Sequence, residues 1–124
     1  MTYGVDTSVF SRALEGLRDE ATIRLRRALR ENAVRFPPVV ITELLSKPGL
    51  EPAAQHLILS ISRLEILDGY WQRAGLLRAT FKARRLKAEL ADVLIAQSCI
   101  DHDIPLITYD RDFRHFQDAG LILI

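Results

Sequence analysis

What the chain lacks bounds it before any motif is read. It has one cysteine, Cys99. No intrachain disulfide can form, which excludes a disulfide-stapled secreted fold and suits a reducing compartment. No stretch offers the long uncharged apolar run of a signal or membrane segment, and the opening "MTYGVDTS" meets an acid at Asp6. The chain is therefore expected to be cytoplasmic, unprocessed and free of the membrane. Net charge is nearly absent: 17 Lys and Arg against 16 Asp and Glu leave +1, too little to announce a nucleic-acid binder by composition. There is no glycine-rich phosphate loop and no serine or cysteine nucleophile motif. His56, His102 and His115 lack ligand spacing, so they read as surface or boundary residues and offer no zinc set.

Apolar residues are plentiful. They make up 48% of the 124 residues, enough for one buried core and one domain over residues 1–124. Strand and helix signals alternate. Tyr3–Asp6 reads as a strand, followed by a helix capped by Thr7 or Ser8 with Val9, Phe10, Ala13, Leu14 and Leu17 on one face. Glu20–Asn32 reads as a basic amphipathic helix. "FPPVVITELLSKPG" suggests a strand at Val39–Ile41 and a helix from Thr42, ended by Pro48 and Gly49. Further helices are expected at Glu51–Ser62, Tyr70–Lys87 and Glu89–Asp103, and strands at Leu64–Leu67, Leu106–Thr108 and the terminal "LILI", with a short helix at Arg111–Asp118. Short apolar strands separated by helices predict an α/β fold, a three-layer α/β/α sandwich around a central parallel sheet.

In such a sheet the carboxyl ends of the strands share one edge, where open α/β folds bind ligands. Acids gather there. Asp6 closes the first strand, Glu43 follows the second in the first turn of its helix, and Asp110 and Asp112 follow "LIT". Asp92 opens the helix "ADVLIAQ", whose neighbours Ile95, Ala96 and Cys99 turn its face inward, where a carboxylate needs a partner. Singly, Asp6, Glu43 and Asp92 also read as caps or first-turn acids, and Asp110 and Asp112 as turn formers. Together on one edge they repel one another and hold on to protons unless a divalent ion compensates them. Oxygen-only ligands suit Mg²⁺ or Mn²⁺.

The order "YGVDTSVF", "VVITELL", "LADVLIAQSCIDHDIPLITYDRDF" and "GLILI" resembles the PIN domain, in particular VapC-type ribonuclease toxins of toxin–antitoxin pairs. The block Leu90–Phe113 is its most specific part, an aspartate opening an alanine-rich helix, then a strand and T-x-D-x-D-F. The likeness implies a metal-binding and catalytic quartet of Asp6, Glu43, Asp92 and Asp110, with Asp112 a fifth acid beside them and the inner position open between Asp110 and Asp112. It implies that Thr7 and Ser8 orient a ligand or water. It further implies Mg²⁺- or Mn²⁺-dependent hydrolysis of RNA phosphodiester bonds, a cognate antitoxin and a homodimer.

The distribution of charge bears on the substrate. From Gly69 through Ala88 there is no acid, while Arg73, Arg78, Lys82, Arg84, Arg85 and Lys87 lie there with Tyr70, Trp71 and Phe81. Cations beside an acidic site are what a phosphate backbone needs, so Arg78, Lys82, Arg84, Arg85 and Lys87 are the candidate RNA contacts. A solvated basic helix is the plainer alternative, with the three aromatics in the core. The arginines of the second helix are alternative contacts for an acidic antitoxin segment. Two other functions compete: a PIN nuclease of RNA processing without an antitoxin, and a receiver-like regulatory module. The latter wants a lysine after a late strand, and "LIT" runs into "YDRDF" with none.

Overall fold

A computed structural model describes residues 1–124. β1 (Gly4–Val5) lies parallel to β2 (Leu106–Ile107), Gly4 opposite Leu106 and Val5 opposite Ile107. All four residues are buried, as a parallel pair covered on both faces requires. Single parallel bridges extend the pair on both sides, Tyr3 to Val34 and Phe36 to Arg63 on one, Leu106 to Leu123 on the other. Their hydrogen bonds alternate as in a parallel ladder: Tyr3 N–H donates to Ala33 O and Arg35 N–H to Tyr3 O, both at 2.8 Å.

The expected α/β character and parallel pairing are therefore present; the regular sheet has two strands, extended only by single bridges. Local sequence keeps the pairing segments short. Pro37 ends the segment at Phe36, and the chain leaves β1 at Asp6, which already caps a helix. The terminal "LILI" pairs only at Leu123, and beside "LEIL" the bridge falls at Arg63.

The helices are α1 (Thr7–Leu14), α2 (Glu20–Arg30), α3 (Pro38–Leu45), α4 (Pro52–Ser60), α5 (Tyr70–Ala83) and α6 (Leu90–Asp101), with a 3₁₀ helix over Arg111–Ala119. Asp6, not Thr7 or Ser8, caps α1, accepting the Val9 N–H at 2.9 Å. Asp19 and Thr22 form a reciprocal capping box at α2. The strand expected at Val39–Ile41 does not form; those residues belong to α3, whose first position is Pro38. Proline is pre-set for that position and has no N–H to lose there. The real sheet contacts lie earlier, at Val34 and Phe36. The helix expected to reach Lys87 ends at Ala83, and Arg85 adopts a left-handed φ of 59°.

α6 packs against α3, α5 and the 3₁₀ helix, and α1 against α2 and α3. In α6, Val93, Ile95, Ala96 and Cys99 are buried together with Val5, Phe10, Phe36, Leu106 and Phe113. The fit is close enough that a Cβ at Gly4 would overlap the Cys99 sulfur, so β1 requires glycine there. Burial pushes the Cys99 thiol up to about 12, and it packs as a small apolar side chain. No helix is long and apolar enough to cross a membrane.

Candidate active site

Asp6 is the most deeply placed acid, 3% exposed. Its position is set by β1, which ends beside β2 and delivers it to the start of α1. The carboxylate is held on both oxygens: Oδ1 accepts from the Ser8 hydroxyl at 3.0 Å and from the Val9 N–H, and Oδ2 accepts from the Thr108 hydroxyl. Burial raises the Asp6 carboxyl above its ordinary value against the opposing pull of these donors, and Asp110 raises it further. The cap that fixes the helix and the acid that faces the cavity are the same side chain.

Glu43 arrives from α3 and is exposed. Its local sequence suggests a first helical turn, where an acid suits the helix dipole. It sits instead in the second half of α3, near the negative end, where the dipole disfavours a carboxylate. Capping does not explain it. The Thr7 hydroxyl donates to its Oε1, joining α1 to α3.

Asp92 lies in the first turn of α6, partly buried. Burial, then the charges of Asp110, Glu89, Asp6 and Glu43, push its carboxyl up to about 6. Asp110 precedes the 3₁₀ helix, which it caps by accepting the Asp112 N–H at 2.9 Å, while its own N–H donates to the Thr108 hydroxyl at 3.0 Å.

These four acids, from four separate segments, line one cavity of about 260 Å³ together with Thr7, Ser8, Ile95 and Phe113. No three of the chain's His, Cys, Asp and Glu side chains converge into a ready-made metal cage. Asp6 and Glu43 are engaged by hydroxyls, and mutual repulsion opposes closer approach. Asp112 stands outside the cavity lining: its Oδ2 pairs with Lys87 Nζ at 2.8 Å, which holds the lysine above its ordinary range. The geometry thus separates Asp110 from Asp112, which their spacing alone does not.

The basic segment divides. Arg78 donates to Ala88 O at 2.9 Å, Arg84 pairs with Asp118 at 3.3 Å and Lys87 with Asp112, so these three already have partners within the chain. Lys82 and Arg85 are exposed and carry no ion pair. Tyr70 and Phe81 are core residues, while Trp71 is exposed. Sequence reasoning misses Thr108. It lies inside the motif T-x-D, and its buried hydroxyl joins Asp6 to the Asp110 backbone; a polar residue ending a fully apolar strand is the available signal.

The PIN domain family model matches residues 3–119, and the chain belongs to the PIN domain family. No curated protein matches it in sequence. Among solved structures it is similar to a chain of VapBC2 from Rickettsia felis bound to a DNA fragment from their promoter, with 23% identity over 100% of this chain and 98% of that one and a TM-score of 0.79. It is also similar to a chain of FitAcB from Neisseria gonorrhoeae, with 17% identity over 99% and 96% of the two chains and a TM-score of 0.71. At these identities the likeness is one of fold.

Proposed function

We propose that the chain is a VapC-type toxin, a single PIN nuclease domain over residues 1–124 that hydrolyses RNA phosphodiester bonds with Mg²⁺ or Mn²⁺, works in the cytoplasm as a homodimer and is held in check by a cognate antitoxin. We read the five bridged segments as the sheet of a three-layer α/β/α sandwich. The observation that carries the activity is the convergence of Asp6, Glu43, Asp92 and Asp110 from four segments on one cavity. The family supports the reaction class, and the VapBC2 likeness supports the antitoxin.

The donor set fits a hard divalent cation. It is all oxygen, and the acids sit close enough to raise one another's proton affinity, a cost that a bound cation reverses. Asp6, Glu43, Asp92 and Asp110 would hold it, and when bound it supplies Lewis acidity and neutralises charge at a phosphodiester. The protein's own part is positioning. Thr108, Ser8 and the Val9 N–H hold the Asp6 carboxyl in place, Thr7 holds Glu43, and Ile95 and Phe113 complete the cavity lining. Asp112 acts through Lys87, orienting the ammonium beside the site.

Purified protein is expected to cleave RNA in Mg²⁺ or Mn²⁺, to stop on addition of EDTA and to resume when metal is restored. Cleavage that survives exhaustive chelation would falsify the metal-dependent reading. The RNA surface has its own test. Because only Lys82 and Arg85 of the candidate contacts are free of internal partners, the double substitution Lys82→Glu, Arg85→Glu should weaken binding and flatten its salt dependence. The slope should change by about 0.7 for each phosphate the variant no longer neutralises. An unaltered salt slope would make the segment a solvated face.

A further inference from the structure

The acidic cavity leaves unused a second concavity of about 200 Å³, lined by Thr108, Tyr109, Asp110, Arg111, Arg114 and Leu123. Asp110 lines both cavities, so the two adjoin at that residue. Tyr109 stands between Thr108 and Asp110 and is 51% exposed. The Arg12 guanidinium lies 4.8 Å from the centre of its ring and is itself held by Asp19. A cation over one side of the ring restrains the side chain while leaving aromatic surface in solvent. Arg111 and Arg114 are exposed and have no acidic partner, unlike Arg12, Arg24, Arg27, Arg73 and Arg84.

A restrained, exposed ring flanked by two unpaired guanidiniums has the chemistry of a single-stranded nucleotide subsite. Every base has a face that stacks on an aromatic ring, and arginines track the phosphates on either side of it. We propose that this concavity holds the nucleotide next to the scissile phosphate, its base stacked on Tyr109 and its backbone contacted by Arg111 and Arg114. The subsite rests on the RNA-nuclease reading and extends it: the substrate passes Asp110, the residue the two cavities share. Tyr109 then contributes affinity and discriminates single strands from duplexes, whose bases are already stacked.

The test uses the full chain in EDTA and a short fluorescein-labelled oligouridylate, alongside cleavage of a mixed RNA pool in Mg²⁺. Tyr109→Ala should raise the dissociation constant about tenfold, and Tyr109→Phe should stay within about twofold of wild type. Arg111→Ala with Arg114→Ala should lower the salt slope by about 1.4. A Tyr109→Trp variant on a Trp71→Phe background should lose tryptophan emission when the oligouridylate binds, a signature that a merely structural tyrosine would not give. If wild type cleaves the pool while Tyr109→Ala binds as tightly as wild type and the new tryptophan is not quenched, the subsite is overturned and the nuclease reading stands. If wild type neither binds nor cleaves RNA, the nuclease reading fails and takes the subsite with it.

Discussion

Asp92→Asn is expected to abolish RNA cleavage and, with divalent cations chelated, to make the protein more stable. The two effects have one origin. Asp92 is an acid pushed up to about 6 by burial and by Asp110, Glu89, Asp6 and Glu43, so keeping it ionised at neutral pH opposes folding. The first turn of α6 favours its charge by about 0.3–1 kcal/mol through the helix dipole. Displacement from the ordinary 3.8 to about 6, discounted for partial exposure, opposes it by about 1–2 kcal/mol. Repulsion wins. The asparagine removes the charge, keeps the shape and should melt higher in EDTA. It should also lose most of the Mg²⁺-induced rise in melting temperature, since a cation stabilises only by binding the native state. Cleavage should fall by more than the roughly 100-fold typical of outer-shell changes at metal sites.

The pH dependence carries the same sign. An acid whose native pKa exceeds its unfolded value binds more protons when folded, so stability declines as pH rises between the two. In EDTA, wild type should therefore lose stability from about pH 4 to about pH 6, the window set by Asp92, and Asp92→Asn should lose less of it. Melts at several pH values decide the matter. A mutant that melts lower than wild type in EDTA yet keeps the full Mg²⁺ shift would make Asp92 a structural first-turn residue.

Legibility varies with how local the determining physics is. β1, β2 and α6 are readable because apolar runs flanked by turn or cap residues leave few alternatives over short windows. Val39–Val40–Ile41 is misleading: three β-branched residues favour a strand, but Pro38 at the first helical position lets the pattern continue into "TELL" as one helix. The pairing at Val34 and Phe36 rests on single bridges, too short to leave a periodic signature. Among the acids, residue type and position after a strand or at a helix start single out Asp6, Asp92, Asp110 and Asp112. Which of the last two faces the cavity depends on Lys87 reaching Asp112 across a loop, an ion pair no spacing rule encodes. Glu43 is also singled out, but for the wrong reason: it is read as the first turn of a helix after a strand at Val39–Ile41, and it lies late in a helix that begins at Pro38.

Thr108→Val should be costly in a way that reveals what the hydroxyl does. Threonine and valine are nearly the same shape, so the change removes two hydrogen bonds and little packing. Without the hydroxyl, the buried Asp6 carboxylate has one donor fewer and the Asp110 N–H has no acceptor, and together these destabilise the protein at neutral pH by about 2–4 kcal/mol. The two parts respond differently to pH. The Asp110 part is the same at any pH. Removing the Thr108 donor lifts the Asp6 carboxyl further above its already raised value, and that part appears only where native Asp6 is ionised; it vanishes once pH falls below the raised native value of wild type. Denaturant unfolding should show the deficit relative to wild type shrinking from pH 8 to about pH 4 without reaching zero. The pH–rate profile should move alkaline, because Asp6 ionises later, and Thr108→Ser should restore both stability and profile by restoring the hydroxyl. If the deficit is instead the same at every pH and the profile does not move, the hydroxyl only anchors the Asp110 turn, and Asp6 keeps its charge without help from Thr108.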